Sequence, residues 1–450
     1  MNDITYEFQT KNLLQSGDPV VAGLVAGNDY LEAQAVLDEL LVMSEADSGP
    51  EGLGTVLLTH DLGVVKYIQG DYEGSWPFLG WSLERLTRLR GADDPGTLSA
   101  TDVLGEATGM AGDHVRAREL HARAFAGRER LLGFAHWDTM TSAMNLARTQ
   151  RALEMHEESC RLFRRVHETA SATLGERHER TLECLTCLGL CLLDTGDLRG
   201  ARDALGRSLA FHAETFGPDH VGSMDAAESL GRTLSALGEH DLALELVMGA
   251  VSRAEGRFGK IHMDTLRYRG RLGHSLALAR NFAGAEQAFM ETADGYFALL
   301  GPRHPFTVDA FLGRLRARQH KDGPVSVRAH YERMLESLDS ELGPDSAAAV
   351  RTAGEYALLL AQIGEFARAA ELFRRTVAYH ERTLGPAHDT TLLHQKYLRI
   401  ALRHSGDPME ELAVFGRLLN TVAGKFVAKC PDRVKDSPVR DGREPGGEFR

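Results

Sequence analysis

Nine glycines, Gly49, Gly91, Gly133, Gly175, Gly217, Gly259, Gly301, Gly343 and Gly385, follow one another at 42-residue steps without a slip. A step held that rigidly means one supersecondary unit copied along the chain, each copy burying its apolar face against the next. A second landmark keeps the same step. Gly70-Asp71, Gly112-Asp113, Gly196-Asp197, Gly238-Glu239, Gly364-Glu365 and Gly406-Asp407 each fall 21 residues after a turn glycine. Every unit therefore has two halves of equal length, with one break between them and one at the end. At 450 residues the chain is too long for a single ordinary core, and a stacked array whose core grows with length resolves that.

Both halves read as helices. Leu182, Leu185, Leu188 and Leu192 follow three- and four-residue steps, and after the next break Ala201, Leu205 and Leu209 do the same. That is one apolar stripe of a helix, not the alternation of a strand. Glycine supplies the left-handed residue that stops a helix, and the acid after it suits the positive start of the next. Small residues show where helices meet. Thirteen residues after the turn glycine stands Leu (62, 104, 146, 188, 230, 272, 398), then Gly or Ala (Gly63, Gly105, Ala147, Gly189, Gly231, Gly273, Ala357). Further on comes Ala (117, 201, 243, 285, 369) and four beyond it a bulky residue such as Phe163, Leu205, Val247, Phe289, Tyr331, Phe373 or Phe415. A small residue on each helix lets two backbones approach, and the large one fills the space between neighbours.

Leu-Gly followed by Ala-x3-Phe is the spacing of the tetratricopeptide repeat. The 42-residue length, together with turns such as "TLGERHERTL" (173–182) and "TLGPAHDTTL" (383–392), resembles the kinesin-light-chain-like subclass. The resemblance covers about residues 49–426. It implies an all-α fold, a right-handed α-solenoid superhelix of tandem helix-turn-helix repeats, and partner binding through its concave groove. Nine repeats are expected over 49–426, starting near each turn glycine. Residues 1–48 are expected to be a partial repeat or cap, with Asn28-Asp29 and Ala33 in register, and 427–450, nearly without apolar residues, a disordered tail. Two copies are worn. The one from Gly301 carries Arg314-Leu315 where Leu-Gly belongs and a "KDGP" turn at 321–324, which marks it as a candidate hinge. The one from Gly385 has Arg399 and Glu411 at small-residue positions, as befits a terminal cap.

Composition removes several function classes. The net charge of −13 argues against nucleic-acid binding, no apolar run reaches membrane-spanning length, and "MNDITYEFQT" has no signal-peptide pattern, so a cytoplasmic protein is expected. Eight Lys against 43 Arg, with abundant Ala, Gly and Leu, and a repeat subclass common in actinomycetes point to a bacterial source. Five Cys do not suggest a disulfide framework. "GPEGLG" (49–54) is glycine-rich but lacks the Lys-Ser/Thr of a phosphate loop, "HEESC" and "HERTL" lack a second zinc-binding His, and no G-x-S-x-G elbow occurs. No catalytic residue, metal or cofactor is expected, and the chain is not read as an enzyme.

Three features invite a sharper reading. His136, His178, His220, His262, His304 and His388 share one repeat position; six equivalent copies suit a corner that bonds its own loop, not a general base. Cys184, Cys187 and Cys191 lie on one helical face, either as small packing residues or as a soft-metal or redox site, while Cys160 and Cys430 stand isolated. The concave face is lined in this register by Asn145, Arg148, Arg151, Arg232, Arg267, Arg271, His274, Arg316 and Arg351, with Glu106, Glu183, Asp225, Glu228 and Asp309 among them. This is either a solvated helix face or a groove that pairs with an acidic peptide through bidentate guanidiniums. The family's groove asparagines survive only in "MNLA", Asn145 to Ala147. The partner is therefore another protein or peptide, held by a passive scaffold or by a sensor that a short peptide switches.

Overall fold

The computed structural model describes residues 13–27 and 29–429, which form twenty α-helices and one short 3-10 turn, with no strand among them. A leading pair, α1 (Pro19–Ala26) and α2 (Tyr30–Ser48), precedes the regular array. The first helices of the units are α3 (Leu53–Ile68), α5 (Pro95–Met110), α7 (Trp137–Ala152), α9 (Glu179–Asp194), α11 (Val221–Ala236), α13 (Met263–Leu278), α15 (Pro305–Asp322), α17 (Ala347–Gln362) and α19 (Asp389–Ser405). They alternate with second helices α4 (Tyr72–Arg90), α6 (His114–Leu132), α8 (His156–Leu174), α10 (Leu198–Phe216), α12 (His240–Phe258), α14 (Phe282–Leu300), α16 (Arg328–Leu342), α18 (Phe366–Thr383) and α20 (Pro408–Lys429). The result is an α-solenoid in which helices pack against their predecessors and successors, except that α15 and α16 meet chiefly through the 3-10 turn between them. α20 runs to Lys429, so the span expected to be disordered from 427 begins with helix; Asn28 and the remainder of that tail lie outside the described residues.

The corner histidine is a helix cap. In His136, His178, His220, His262, His304 and His388, Nδ1 accepts the backbone N–H two residues on, at 3.1–3.3 Å. Asp94 and Ser346 do the same work at the equivalent positions of their units. A ring nitrogen that accepts is unprotonated, so the proton sits on Nε2. The Thr or Ser that follows closes the corner from the other side: Thr55, Ser223, Thr265, Thr307 and Thr391 donate to the carbonyl of their own turn glycine. In the corners of His220, His262, His304 and His388 both hydrogen bonds form and fix how one unit enters the next, whereas the Thr139 and Thr181 hydroxyls, after His136 and His178, are buried without a hydrogen-bond partner.

Packing inside a unit follows the small-then-large spacing. A Cβ added to Gly189 would stand 2.6 Å from Leu205, so α9 and α10 touch backbone to side chain and tolerate nothing larger. Phe163, Tyr331 and Phe373 occupy the same second-helix position as Leu205 and are essentially inaccessible. The worn copy departs from its sisters. α15 is 18 residues where most first helices have 16, Gly323 ends it with φ 89°, and a 3-10 turn over Pro324–Val327 shifts the start of α16. Leu312 and Leu315 are buried, Arg314 only partly so, and Gly313 takes the place against Phe289. Cys160, isolated in sequence, lies on α8 against Cys191 of α9, and the two form a disulfide with Cα atoms 5.8 Å apart, contrary to the expectation of no disulfide.

The superhelix closes on itself. Tyr379 Oη, on α18, donates to the Ala111 carbonyl at 2.7 Å across 268 residues. His388 Nε2 donates to the Ala152 carbonyl at 2.9 Å, and the Asp389 N–H to Glu154 Oε2 at 2.8 Å. His304 meets the Tyr72 ring edge-on at 6.3 Å between centroids and fills the space beside Gly70. Breaks 70 and 154 thus face corner histidines about five and a half repeats later, and break 112 faces Tyr379 on the second helix α18. This seam makes one turn of the solenoid a ring around a hollow.

Candidate binding groove

First helices turn one face toward the hollow, so a residue at a given step of one unit faces the same step of the next. The cations and acids of that wall use this. Arg267 Nη2 meets Asp225 Oδ1 at 2.5 Å, one repeat back, and Arg351 meets Asp309 over the same interval. Arg151 pairs with Asp194 at 3.2 Å, Arg148 with Glu183 at 3.1 Å, Arg271 with Glu228 at 3.5 Å and Arg316 with Glu355 at 3.7 Å. Asn145 Nδ2 donates to Glu106 at 3.0 Å. The wall is therefore a ladder of charge pairs between neighbouring units. The guanidiniums of this wall are thus already engaged with internal carboxylates.

Three cavities follow this wall. One, of about 460 Å³, is lined by Asn145, Arg148, Arg151, Arg232 and Glu106, and on its far side by His388 and Thr390 from across the seam. The second, about 260 Å³, shares Arg148 with it and reaches Asp264 and Arg267. The third, about 120 Å³, shares Asp264 and Arg267 with the second, includes Arg271 and His274, and is bordered by Met110, which also borders the first. Seven of the nine groove residues read from the sequence thus line three cavities that share lining residues with one another; Arg316 and Arg351 lie outside these three cavities.

Burial sets the protonation states here. Glu106 is pushed up to about 7, chiefly by desolvation, with Asp102 adding to the rise and His121, Arg148 and the Asn145 hydrogen bond opposing it. His274 is pushed down to about 3 by burial and then by Arg271 and Arg316, so it stays neutral against the Phe289 ring, 4.9 Å away edge-on. The three thiols of α9 do not converge: Cys184 faces Met144 Sδ at 3.6 Å, Cys187 lies 3.7 Å from Arg148, and Cys191 is in the disulfide. Burial holds the Cys184 thiol well above the ordinary thiol range and raises that of Cys187, where Arg148 opposes the shift. Among the described residues no group of three His, Cys, Asp or Glu gathers in metal-holding geometry, and no helix is long and apolar enough to cross a membrane.

Sequence reasoning missed a buried polar network beside the groove. Asp102 accepts from Arg128 at 2.5 Å and Ser142 at 2.6 Å and lies 3.1 Å from His121 Nδ1. Its signal was present, since His121 stands at the second-helix position that Leu205 and Phe289 fill elsewhere. Ser142 bonds the carboxylate and not the imidazole, so this is a packed ion network and not a nucleophile with its base.

Comparisons with known proteins agree with this architecture. One tetratricopeptide-repeat model matches residues 138–214 and 185–256, and a second matches 97–138, 265–306 and 354–389, together more than half of the chain. Among solved structures, the nearly identical TPR-like repeats of a Podosopora anserina kinesin light chain share 21% identity over 44% of this chain and 94% of theirs, with a TM-score of 0.40. The apo form of the quorum sensor NprR from B. thuringiensis shares 14% over 80% and 99%, with a TM-score of 0.47. BtubC from P. vanneervenii shares 16% over 67% and 98%, with a TM-score of 0.32. No curated protein matches the chain significantly. With its helix pairs, its small-to-large packing and these matches, the chain belongs to the tetratricopeptide-repeat proteins.

Proposed function

We propose that the chain binds an extended segment of a partner protein within its hollow and serves as a scaffold or adaptor, without catalysis of its own. The observation that carries this is the run of three cavities, sharing lining residues, along the charge-paired wall. The seam bounds that hollow, which favours a narrow unfolded segment over a folded domain. The constant step of helix starts, 53, 95, 137 and onward, supports placing the repeats in the 42-residue, kinesin-light-chain-like class. Arginines along the wall support a segment bearing acids, and a bacterial cytoplasm remains the setting that composition favours. A second reading, a peptide-responsive regulator acting on a partner, draws on the seam: a ring that opens or tightens on binding has a shape to transmit.

The test places a photo-cross-linking residue at Met110 or Glu179, which border the cavities, and at exposed Arg161 or Arg199 on second helices as controls. Partner peptides linked from the first pair and not the second support the hollow. Equal labelling from both pairs refutes it. The paired exchange Asp225→Arg with Arg267→Asp keeps the ion pair and inverts it; capture should fall with the fold intact. Scattering with and without the captured segment separates scaffold from regulator, since only the latter changes dimensions.

A further inference from the structure

The cavity under the seam differs from the rest of the groove because its two sides come from units far apart in sequence. α5, α7 and α11 supply Glu106, Arg148, Arg151 and Arg232, and the start of α19 supplies His388 and Thr390. Three guanidiniums face the first turn of a 17-residue helix, whose own partial charge is positive. Against them stand Asp194, already paired with Arg151, Glu183, already paired with Arg148, and Glu154. Glu106 is the remaining acid: its Oε1 accepts from Asn145, and its buried Oε2 has no hydrogen-bond partner. Held up to about 7 by burial, this carboxyl carries its proton through much of the neutral range and offers an O–H. Asp102 and His121 on one side and Arg148 and Asn145 on the other are the groups that face it.

One carboxylate already uses the rim of this cavity. Glu154 stands at the mid-unit break where other copies place glycine, with φ 59°; Arg280 is the other non-glycine with positive φ among the described residues. L-residues are strained there. Its Oε2 accepts the Asp389 N–H at 2.8 Å, and its Oε1 lies 3.7 Å from His388 Nε2. The strained backbone sets an acid on the start of α19, above the three arginines.

We propose that the cavity under the seam is a carboxylate-binding site, formed jointly by the early units and the last, and that Glu154 is its built-in competitor. This rests on the reading of the hollow as a binding site and names the chemistry of one part of it. The carboxylate comes either from an acidic side chain of the bound segment or from a free polycarboxylate.

The probes are an acetylated, amidated tetraglutamate peptide, its tetraglutamine counterpart, and citrate, titrated against the full chain. Glu154→Gly restores the repeat's own residue, removes the strain and removes the competitor. It should bind the acidic probe about tenfold tighter than the parent, the probe's carboxylate taking over the Asp389 N–H. Arg232→Gln added to it should abolish the gain. Affinity should fall as pH rises through about 7, and Glu106→Gln should flatten that profile while leaving binding in place. A gain for tetraglutamate alone assigns the site to a partner segment, and a gain for citrate alone to a small molecule. Equal affinity of parent and Glu154→Gly, an equal gain for tetraglutamine, or no binding of either acid by Glu154→Gly overturns the proposal. Cross-linking from Met110 and Glu179 reads the hollow independently of Glu154, so the two readings fail separately.

Discussion

Acidification should open the ring before it melts the helices. His304 and His114 both lie at the seam, and burial holds each down to about 4; Asp309 opposes the shift in His304, while His388 and Arg351 add to it in His114. Above about pH 6.5 neither the closed nor the open ring protonates them, and pH has no effect. Below it the open ring takes up protons that the closed ring refuses, so closure weakens as pH falls, until about 4, where the loss levels off. At pH 5 the difference is about 2 kcal/mol per histidine. Part of each burial belongs to the residue's own unit, so the pair contributes roughly 2–4 kcal/mol against closure. The seam is held by hydrogen bonds from Tyr379, His388 and Asp389, the last to a carboxylate. At about 1 kcal/mol for a neutral bond and about 1.5–3 for a charged one, they total about 3–5 kcal/mol. At pH 5 the two sums become comparable, which places opening at about pH 5, within about half a unit either way. Small-angle scattering across pH 7.5 to 4.5, with far-ultraviolet circular dichroism in parallel, reads it. The radius of gyration should rise while helicity holds, and His304→Asn with His114→Asn, the first keeping a capping side chain, should blunt the rise. A constant radius down to pH 4.5, or radius and helicity changing together, would refute the reasoning.

Gly70→Ala and Gly196→Ala both place a methyl at φ 82°, but only the first presses on His304, the second meeting open space; chemical denaturation should show both destabilised, with an extra loss of about 1–3 kcal/mol at Gly70 that reports the seam. Phe163→Ala should cost about 3–5 kcal/mol in the same assay, because the ring is fully buried between α8 and its neighbours. Breaking the Cys160–Cys191 bridge by Cys160→Ser should cost roughly 3–4 kcal/mol for a loop of 31 residues' separation, and peptide mapping without reductant should recover the linked pair from the parent chain.

Local architecture was legible because it is written in each unit. The turn glycines, the corner histidines and the pairing of Gly189 with Leu205 repeat often enough to be read without coordinates. The groove was half legible. Its arginines and acids were both visible, yet they read as a mixed field, because pairing one repeat apart, as between Asp225 and Arg267, needs the register of one unit upon the next. Cys160 and Cys191 belong to neighbouring units, and only the packing of α8 against α9 brings them together. The seam had no local signature, since it depends on small rotations summed over several units. Glu154 departs from the mid-unit glycine, but Arg280 and Asp322 depart at the same step of their units, so the letter alone does not tell which departure lies at the seam.

Arrays of this kind gain and lose whole copies easily, because each interface knows only its neighbours. Closure removes that freedom here. Delete one complete unit between Glu154 and His388 and every remaining contact along the chain survives, yet the acid and its helix end no longer meet. Copy number between those two points is therefore set by the circumference, as links in a bracelet are set by its clasp.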